Sequence, residues 1–397
     1  MTVNNKLKTE HTDLHIDEDT GFKISSDFER FNQINDMFSR AFWDDSVRTK
    51  LSDAFFDSHR VQPTGKKAPG FRQKDFALRN AAWAISDTFS NRGAENGTRE
   101  GFQSWMECEA EIADEKLHIE NVQEYTIEFK QIAKLFGADL IGITALDKRW
   151  HYSKRVDTRE FIPVSNELPG NYSHVIVMGH AMDKDLVDTY PSALASSAAG
   201  FEYSHEAAIV TQLTTYIRSL GYEALGSMND TALVVPYAIQ AGLGEYGRNQ
   251  MVITPEFGPR VRFSKIFTNM PLTHDKPVNI GITKYCTQCD KCAVACPPKA
   301  LPLGPPSTER LNQSTIKGVK KWSADCEKCF GYWTKIKTDC AICMRVCPFN
   351  RDFETLSGKL FMLLVDSPLQ FLALWWEKKK GIAKRVKPDM WWQSLLK

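Results

Sequence analysis

The sequence has almost no net charge, because 50 Lys and Arg residues balance 49 Asp and Glu residues and leave +1. Proteins that bind nucleic acid need a basic face, so no nucleic-acid partner is expected. The first 50 residues contain no apolar core of signal-peptide length, and no Arg-Arg pair occurs in the chain. The sequence as written therefore predicts a cytoplasmic location, or an exported and membrane-associated one if a leader has been removed.

Long hydrophobic runs are also lacking. The longest, "LFMLLVDSPLQFLALWW" at 360–376, is interrupted by Asp, Ser and Pro at 366–368, whereas a membrane span needs about 20 apolar residues. The favoured interpretation is a buried C-terminal segment. The alternative is contact with a membrane surface or membrane partner, suggested by the Trp pair at 375–376 and the lysines at 378–380.

Cysteine is scarce except in one region, since nine of the ten cysteines lie between Cys286 and Cys347. Such clustering in a large chain indicates metal ligation rather than a disulfide scaffold. The first block, "CTQCDKCAVACP", has the spacing C-x2-C-x2-C-x3-C-P of bacterial ferredoxins, in which the fourth cysteine ligates a neighbouring cluster. The second block, "CAICMRVCP" from Cys340, supplies the neighbour.

Two 4Fe–4S clusters are therefore predicted. The second needs one upstream thiol, for which Cys329 is preferred over Cys326. A zinc ribbon of Cys326, Cys329, Cys340 and Cys343 is the alternative, but it leaves Cys347 and the repeated Cys-Pro endings unexplained. The predicted ligands are Cys286, Cys289, Cys292 and Cys347 for the first cluster, and Cys296, Cys329, Cys340 and Cys343 for the second.

Four regions follow from the patterns along the chain. Residues 1–124 are polar and irregular and are predicted to wrap around a larger body. In 125–280, the strands "DLIGITAL" and "HVIVMGHAM" alternate with helices, of which "SHEAAIVTQLTTYIRSLGY" is the clearest, and this alternation predicts layered α/β structure. Residues 281–351 form the ferredoxin-like domain, and 352–397 form a tail.

The segment "AGLGEYGRNQ" places Gly242, Gly244 and Gly247 in a G-x-G-x-x-G pattern. A dinucleotide site would need a strand before it and a helix after it. Here the preceding "VVPYAIQ" contains a proline, and the following "MVITPEFGPRVR" is typical of a strand and turn. The pattern is therefore interpreted as a bend with close backbone approach.

Several segments resemble the corrinoid-dependent reductive dehalogenases: "FERFNQINDMFSRAFWD", "DFALRNAAWA", "AGLGEYGRNQMVITPEFGPRVR" and "CEKCFGYW" with "CAICMRVCPFN". The resemblance implies an α+β protein, with a nitroreductase-like corrinoid-binding α/β core and a C-terminal bacterial-ferredoxin-like two-cluster domain. It also implies a base-off corrinoid. The chain has no D-x-H-x-x-G motif, so no histidine is expected to replace the lower base.

The resemblance further implies roles for individual residues. Tyr203, just before the helix, would donate a proton; Arg262 would support it, and Asn229 would lie near the substrate. Arg260 competes with Arg262, because alternation along "GPRVR" puts both on one strand face. Trp333 would form a wall of the substrate pocket. Corrinoid contacts would fall on the backbone around Gly242, Gly244 and Gly247.

The implied reaction replaces carbon–halogen by carbon–hydrogen in a small organohalide, which requires two electrons and a proton. A tyrosine is a weak acid, and a nearby guanidinium would stabilise its phenolate. An external electron donor is expected, such as a ferredoxin, a flavodoxin or a membrane quinol system. The alternatives are an epoxyqueuosine reductase acting on tRNA and a non-catalytic, ferredoxin-type electron carrier.

Overall fold

The computed structural model describes residues 14–58 and 67–396. At its centre lies a four-stranded sheet in the order β3-β6-β10-β7, in which every neighbouring pair is antiparallel. The alternation of strands and helices thus produces layers around an antiparallel sheet. The strands of this sheet are β3 (Leu140–Ala145), β6 (His174–Ala181), β7 (Ala224–Ser227) and β10 (Val261–Thr268).

Each face of this sheet is covered by its own apolar cluster. On one face, Ile176 and Ile266 pack under α4 (Val122–Leu135) and the 27-residue α6 (Ala193–Ser219). On the other, Val177 and Phe267 pack under α7 (Val234–Gln240). The smaller elements of this region are β4 (Arg155–Asp157), β5 (Ile162–Val164), α5 (Lys184–Val187), β8 (Glu245–Tyr246) and β9 (Val252–Ile253).

The N-terminal segment packs on both the core and the cysteine-rich region. Its strand β2 pairs with β11 (Val319–Lys320), so the N-terminal segment and the cysteine-rich region share one small sheet. Its helix α3 runs along α6. The elements of this segment are β1 (Leu14–Ile16), β2 (Lys23–Ser25), α1 (Met37–Trp43), α2 (Lys50–Asp57) and α3 (Gln73–Ser90).

The cysteine-rich region and the tail are built from short helices. The last helix returns to the N-terminal segment, where the Trp392 indole donates a hydrogen bond to Asp75 at 2.7 Å. No helix in the described parts of the chain has the length and apolar character needed to cross a bilayer. These helices are α8 (Ile282–Gln288), α9 (Lys291–Ala295), α10 (Cys326–Ile336), α11 (Ile342–Arg345), α12 (Leu356–Val365), α13 (Gln370–Lys380) and α14 (Pro388–Ser394).

Three sequence-based expectations about local structure need correction. Helix α6 begins at Ala193, well before the predicted start, because its first turns are buried on nearly all sides and carry no amphipathic stripe. Helix α3 is a regular 18-residue helix within a segment predicted to be irregular. The expectation of a buried C-terminal segment holds for one face only, since Phe361 is buried while Leu363 is 68% exposed.

Candidate functional site

A cavity of about 700 Å³ lies where the N-terminal segment, the core and the cysteine-rich region meet. Its volume falls in the range of sites that enclose a small molecule or cofactor. All three parts of the chain supply its wall, so the cavity depends on how they pack together. Lining residues include Phe38, Phe55 and Trp83 from the N-terminal segment, Tyr203, Asn229 and Arg262 from the core, and Lys321, Trp333 and Asp339 from the cysteine-rich region.

Tyr203 lies in the middle of α6 rather than just before a helix, and it is 6% exposed. Its ring stacks on Trp83 of α3, with centroids 4.7 Å apart, and Phe102 approaches at 5.5 Å. Gly200 makes this packing possible, because a Cβ there would lie 2.5 Å from the Trp83 ring. The aromatic contacts therefore fix the direction in which the phenol points.

Asn229 follows β7 and reaches the same phenol. Its Nδ2 donates a hydrogen bond to the Tyr203 hydroxyl oxygen at 2.5 Å. The next residue, Asp230, forms a turn at the same time, since its carboxylate accepts hydrogen bonds from the Met228 amide and the Ser227 hydroxyl. The "ND" pair is thus both a turn and part of the cavity wall.

Arg262 lies on β10, and its guanidinium carbon is 4.2 Å from the centroid of the Tyr203 ring. The contact is with the ring face, not the hydroxyl. Burial lowers the pKa of Arg262 to about 10, and the nearby Tyr190 and Asp339 oppose that shift. Arg262 therefore stays protonated near neutral pH and places a positive charge against the phenol.

Arg260 does not compete for this position. It precedes β10, so the strand alternation that would put it beside Arg262 does not extend to it. Its guanidinium instead donates hydrogen bonds to the carbonyls of Met182 at 2.9 Å and Arg351 at 3.4 Å. The structure brings together Tyr203, Asn229 and Arg262, and leaves Arg260 outside.

Trp333 lines the cavity from α10, and its role as a wall of the substrate pocket stays a prediction. It is one of several aromatic rings on this side, and the rings of Phe38 and Phe55 lie 6.0 and 6.3 Å from it. Its indole Nε1 is buried without a hydrogen-bond partner. Sequence reasoning missed Phe55 and Trp83 as wall residues, although the aromatic repeat of the N-terminal segment was visible.

The three glycines of "AGLGEYG" are not among the residues that line the cavity, and the corrinoid contacts predicted for them stay a prediction. Gly242 has φ +74°, and a Cβ there would lie 2.5 Å from the Lys276 carbonyl oxygen; a Cβ at Gly244 would lie 2.4 Å from that of Ile253. Gly247 packs on the Ile253 side chain. The glycines therefore allow tight backbone packing, as the alternative interpretation held. Tyr246 and Gln250 from the same segment do reach the cavity.

The cysteine thiols fall into two adjoining sets, and all ten cysteines are unpaired. Cys286, with Cys289 and Cys347 beside it, belongs to the large apolar cluster under α7. Cys296, Cys329, Cys340 and Cys343 share a separate small cluster, and Cys292 lies between the sets there. Among the described residues, no three His, Cys, Asp or Glu side chains are placed to hold a single metal ion.

Electrostatic neighbours support the same division. Burial raises the pKa of Cys286 to about 12, and Cys289 and Cys292 add to the shift. Burial likewise raises the pKa of Cys329 to about 12, and after burial the largest contribution comes from Cys340. Cys326 is different, because after burial its strongest influence is Lys321, at the cavity wall. Eight grouped thiols fit the donor chemistry of two 4Fe–4S clusters.

A buried arginine that sequence reasoning missed ties the glycine-rich segment to the first thiol set. Arg248 is 3% exposed, and its guanidinium donates to carbonyls on both sides of the first cysteine loop. The only signal was its place at the end of "GLGEYGR". Its acceptors are the carbonyls of Cys286, Thr287, Cys289, Pro302, Leu303 and Gly304, at 2.8–3.3 Å.

Two family models match separate parts of the chain. Residues 164–272 match the reductive dehalogenase subunit, and residues 285–350 match the 4Fe-4S double cluster binding domain. The second match spans all eight predicted ligands and also Cys326. It favours two clusters over the zinc-ribbon alternative.

Among curated proteins, the chain is similar to tetrachloroethene reductive dehalogenases. It is 36% identical to that of Sulfurospirillum multivorans over 253 residues, 57% of this chain and 50% of that protein. It is 27% identical to that of Desulfitobacterium hafniense over 93% of this chain and 86% of that protein. An epoxyqueuosine reductase of Lactococcus garvieae matches 33% of this chain, with 34% identity.

Solved structures show the same fold. The catabolic reductive dehalogenase NpRdhA superposes with a TM-score of 0.67 and 21% identity, over 91% of this chain and 47% of that one. A reductive dehalogenase studied for B12-dependent dehalogenation superposes with a TM-score of 0.67 and 22% identity, over 91% of this chain and 48% of that one. The chain thus spans about half the length of these proteins and of the Sulfurospirillum relative.

Proposed function

We propose that the chain, which is similar to reductive dehalogenases, replaces carbon–halogen by carbon–hydrogen in a small organohalide. The cofactors of the proposal are two 4Fe–4S clusters and a base-off corrinoid, which are the cofactors predicted from the sequence. One observation carries the proposal. Tyr203, Asn229 and Arg262 converge on the wall of a cavity that also adjoins the second thiol set.

The reaction consumes two electrons and one proton, and it releases a halide ion. A corrinoid, when bound, would supply the electrons. Tyr203 supplies the proton from its hydroxyl to the carbon that loses the halogen. Because Asn229 donates its hydrogen bond to the Tyr203 oxygen, the hydroxyl's own hydrogen remains free to point into the cavity. The transfer leaves a phenolate, which accepts that same hydrogen bond.

Arg262 stabilises the phenolate through the ring. Phenolate charge is spread over the aromatic ring, and the guanidinium lies 4.2 Å from the ring centroid. At that distance a positive charge in a desolvated site interacts strongly with a developing negative charge. Arg262 is therefore an electrostatic partner rather than a second proton donor.

The cavity wall suits a flat, largely apolar cofactor. Leu233, Val234 and Val235 provide an apolar surface at the start of α7, and Tyr246 and Gln250 add polar groups from the glycine-rich segment. No histidine is found among the described residues that line the cavity. These residues are the proposed corrinoid contacts in place of the glycines.

The second thiol set adjoins this cavity through two short connections. Asp339 lines the cavity and immediately precedes Cys340, while Trp333 lines it from the helix that carries Cys329. The first set lies further away, among Tyr285, Phe349 and other rings near α12. The second thiol set would therefore hold the cluster nearer the cavity, and the first set would hold the cluster beside α12.

The test compares Tyr203→Phe with the unaltered enzyme, both loaded anaerobically with iron, sulfide and cobalamin. We expect Tyr203→Phe to retain both cofactors and to lose most chloride release from tetrachloroethene, the substrate named for the relatives. Tyr125→Phe is the matched control, because Tyr125 is a half-buried tyrosine that hydrogen-bonds Tyr216 outside the cavity. Undiminished chloride release by Tyr203→Phe would remove Tyr203 from the mechanism.

The two alternatives give different results in the same experiment. An epoxyqueuosine reductase would reduce the epoxide in tRNA and release no chloride, and its relative matches only a third of this chain. A plain electron carrier would hold iron and sulfide but retain no cobalt. Cobalt retention with chloride release excludes both.

The electron donor is proposed to be a membrane quinol system, reached through the face formed by α12 and α13 next to the first thiol set. Phe361 of α12 packs on Tyr285, one residue before Cys286, with ring centroids 5.7 Å apart. Outward from this contact, Leu356, Leu363 and Trp375 are 88%, 68% and 61% exposed. Exposed apolar side chains in such number mark an interaction site.

We propose that this face lies on an anionic membrane surface. Lys378, Lys379 and Lys380 at the end of α13 are exposed beside the apolar side chains, and this combination favours anionic lipid. Co-sedimentation with phosphatidylserine vesicles should exceed that with phosphatidylcholine vesicles. Leu363→Glu should abolish the binding, whereas Leu135→Glu, at an exposed leucine on α4, should not. Equal sedimentation of both variants would contradict the proposal.

A further inference from the structure

Lys265 is a fully buried lysine on the same strand as Arg262. Residues three apart on a strand point to opposite faces, so Lys265 leaves the sheet on the side away from the Arg262 guanidinium. Its ammonium donates hydrogen bonds to the carbonyl oxygens of Met228 at 2.5 Å and Asp230 at 3.1 Å. These two residues flank Asn229, whose side chain contacts Tyr203.

The ammonium is kept in this position by charge as well as by geometry. Burying an unpaired ammonium is costly, and the neighbouring carboxyl groups are those of Asp230 and Glu206. Burial lowers the pKa of Lys265 to about 8, and these two groups oppose the shift. Neither oxygen of Glu206 has a hydrogen-bond partner, and burial raises its pKa.

The remaining contacts of the loop hold Asn229 itself. The backbone N–H of Asn229 donates a hydrogen bond to the Gly101 carbonyl oxygen at 2.9 Å, and the Tyr152 hydroxyl donates one to the backbone carbonyl oxygen of Asn229 at 3.1 Å. Lys265 contacts the residues on either side of Asn229 through its hydrogen bonds to the Met228 and Asp230 carbonyl oxygens. With its ammonium removed, the buried Met228 carbonyl would lose this donor, while the Asp230 carbonyl would keep the Ala232 N–H at 2.6 Å and the Ser227 hydroxyl at 3.2 Å, so the loop could shift on the Met228 side of Asn229.

We propose that Lys265 is a positioning residue that holds Asn229 against the Tyr203 hydroxyl. The inference rests on the proposed function for its effect on turnover, but not for its effect on the Tyr203 environment. Both effects are measurable, and they separate a failure of this inference from a failure of the proposed function.

The first readout is kinetic and uses the fully loaded enzyme. We expect Lys265→Met to keep its iron and cobalt and to lower kcat for chloride release roughly tenfold to a hundredfold, the range for a small misplacement of an active-site group. KM should change by less than about twofold, because no substrate contact is removed. Lys130→Met, which removes a Lys–Asp275 ion pair outside the cavity, is the matched control and should retain kcat.

A double-mutant comparison distinguishes positioning from a general loss of structure. If Lys265 acts through Asn229, then Lys265→Met combined with Asn229→Ala should be no slower than Asn229→Ala alone. Independent losses that multiply would overturn the inference. If Lys265→Met does not fold, the double variant Lys265→Met with Asp230→Asn, which removes the ammonium together with the Asp230 carboxyl group, is subjected to the same comparison.

The second readout does not require turnover. The protein is labelled with 3-fluorotyrosine, and the resonance of Tyr203 is assigned as the one absent from Tyr203→Phe. Lys265→Met should shift that resonance in the same direction as Asn229→Ala, and Lys130→Met should leave it in place. An unshifted Tyr203 resonance in Lys265→Met would overturn the inference even if every variant is active; a shift in protein that releases no halide would contradict only the proposed function.

Discussion

Replacement of Arg248 by lysine tests whether the glycine-rich segment supports the first cluster. The guanidinium makes seven hydrogen bonds to six backbone carbonyls that surround the first cysteine loop. Lysine keeps the positive charge but has three donors on a single nitrogen and no planar fork. Arg248→Lys therefore isolates the geometry of the contact from its charge.

The expected loss follows from the number of bonds. A guanidinium has five N–H donors, so some of the seven contacts share one hydrogen, and lysine with three donors loses at least two. At about 1 kcal/mol net for each, the free energy of unfolding should fall by about 2 kcal/mol. Because the freed carbonyls include those of Cys286 and Cys289, the loss falls on the loop that would hold the first cluster.

The assay measures iron per chain together with urea unfolding of the anaerobically reconstituted protein. Arg248→Lys should retain about half the iron of the unaltered protein, since only one of two clusters is affected. The control is Arg159→Lys at an exposed ion pair with Asp157, which should change neither quantity. Full iron content and an unchanged urea midpoint in Arg248→Lys would refute the reasoning.

Three further predictions concern the cluster region. Cys329→Ser should lower the iron content while Cys326→Ser leaves it unchanged, and iron analysis of both decides the ligand. Gly258→Ala should lower the free energy of unfolding by about 2 kcal/mol, a typical cost of overpacking, because φ at Gly258 is +59° and the added Cβ would overlap the Phe349 carbonyl oxygen. The control is Gly304→Ala, since no described atom lies near a Cβ at Gly304. Equal melting temperatures of the two variants would contradict the prediction. Burial alone would raise the pKa of Glu377, but hydrogen bonds from Lys291 and Arg351 outweigh it and lower the pKa. The stabilisation from Glu377 is therefore present above its unfolded pKa of about 4.3 and is lost as the pH falls through the lower folded value. Glu377→Gln should lower the melting temperature at pH 7 and should lose less melting temperature between pH 5 and 3 than the unaltered protein. Parallel curves of melting temperature against pH for the two proteins would contradict the prediction.

The parts of the fold that could be predicted from sequence are those written in short local spacings. The two cysteine blocks fix their ligands within about ten residues each, because a cubane requires that spacing. Strands β3 and β6 were visible as apolar runs, and the ends of α4 and α6 were marked by Gly137 and Gly221, both with positive φ.

Features that depend on packing could not be predicted in this way. The start of α6 was missed because "ALASSAAG" is buried on all sides and has no periodic stripe. The glycines at 242–247 were placed at a cofactor because tight packing on a carbonyl and tight packing on a ligand require the same residue. Arg248 gave no signal beyond its place at the end of "GLGEYGR", because its acceptors are backbone carbonyls from two distant loops.

The cavity residues show why local patterns were insufficient there. Tyr203, Asn229 and Arg262 come from a helix, a loop and a strand, and only the resemblance to a family singled them out. Asp339 joins this group to the cysteine-rich region, because it accepts a hydrogen bond from Tyr190 at 2.8 Å and acts on the charge of Arg262. The residue after it is Cys340. A shift of the second cysteine block would therefore move Asp339 and alter the electrostatics at Arg262, so the proposed electron delivery and the proposed proton donation would be coupled through Asp339.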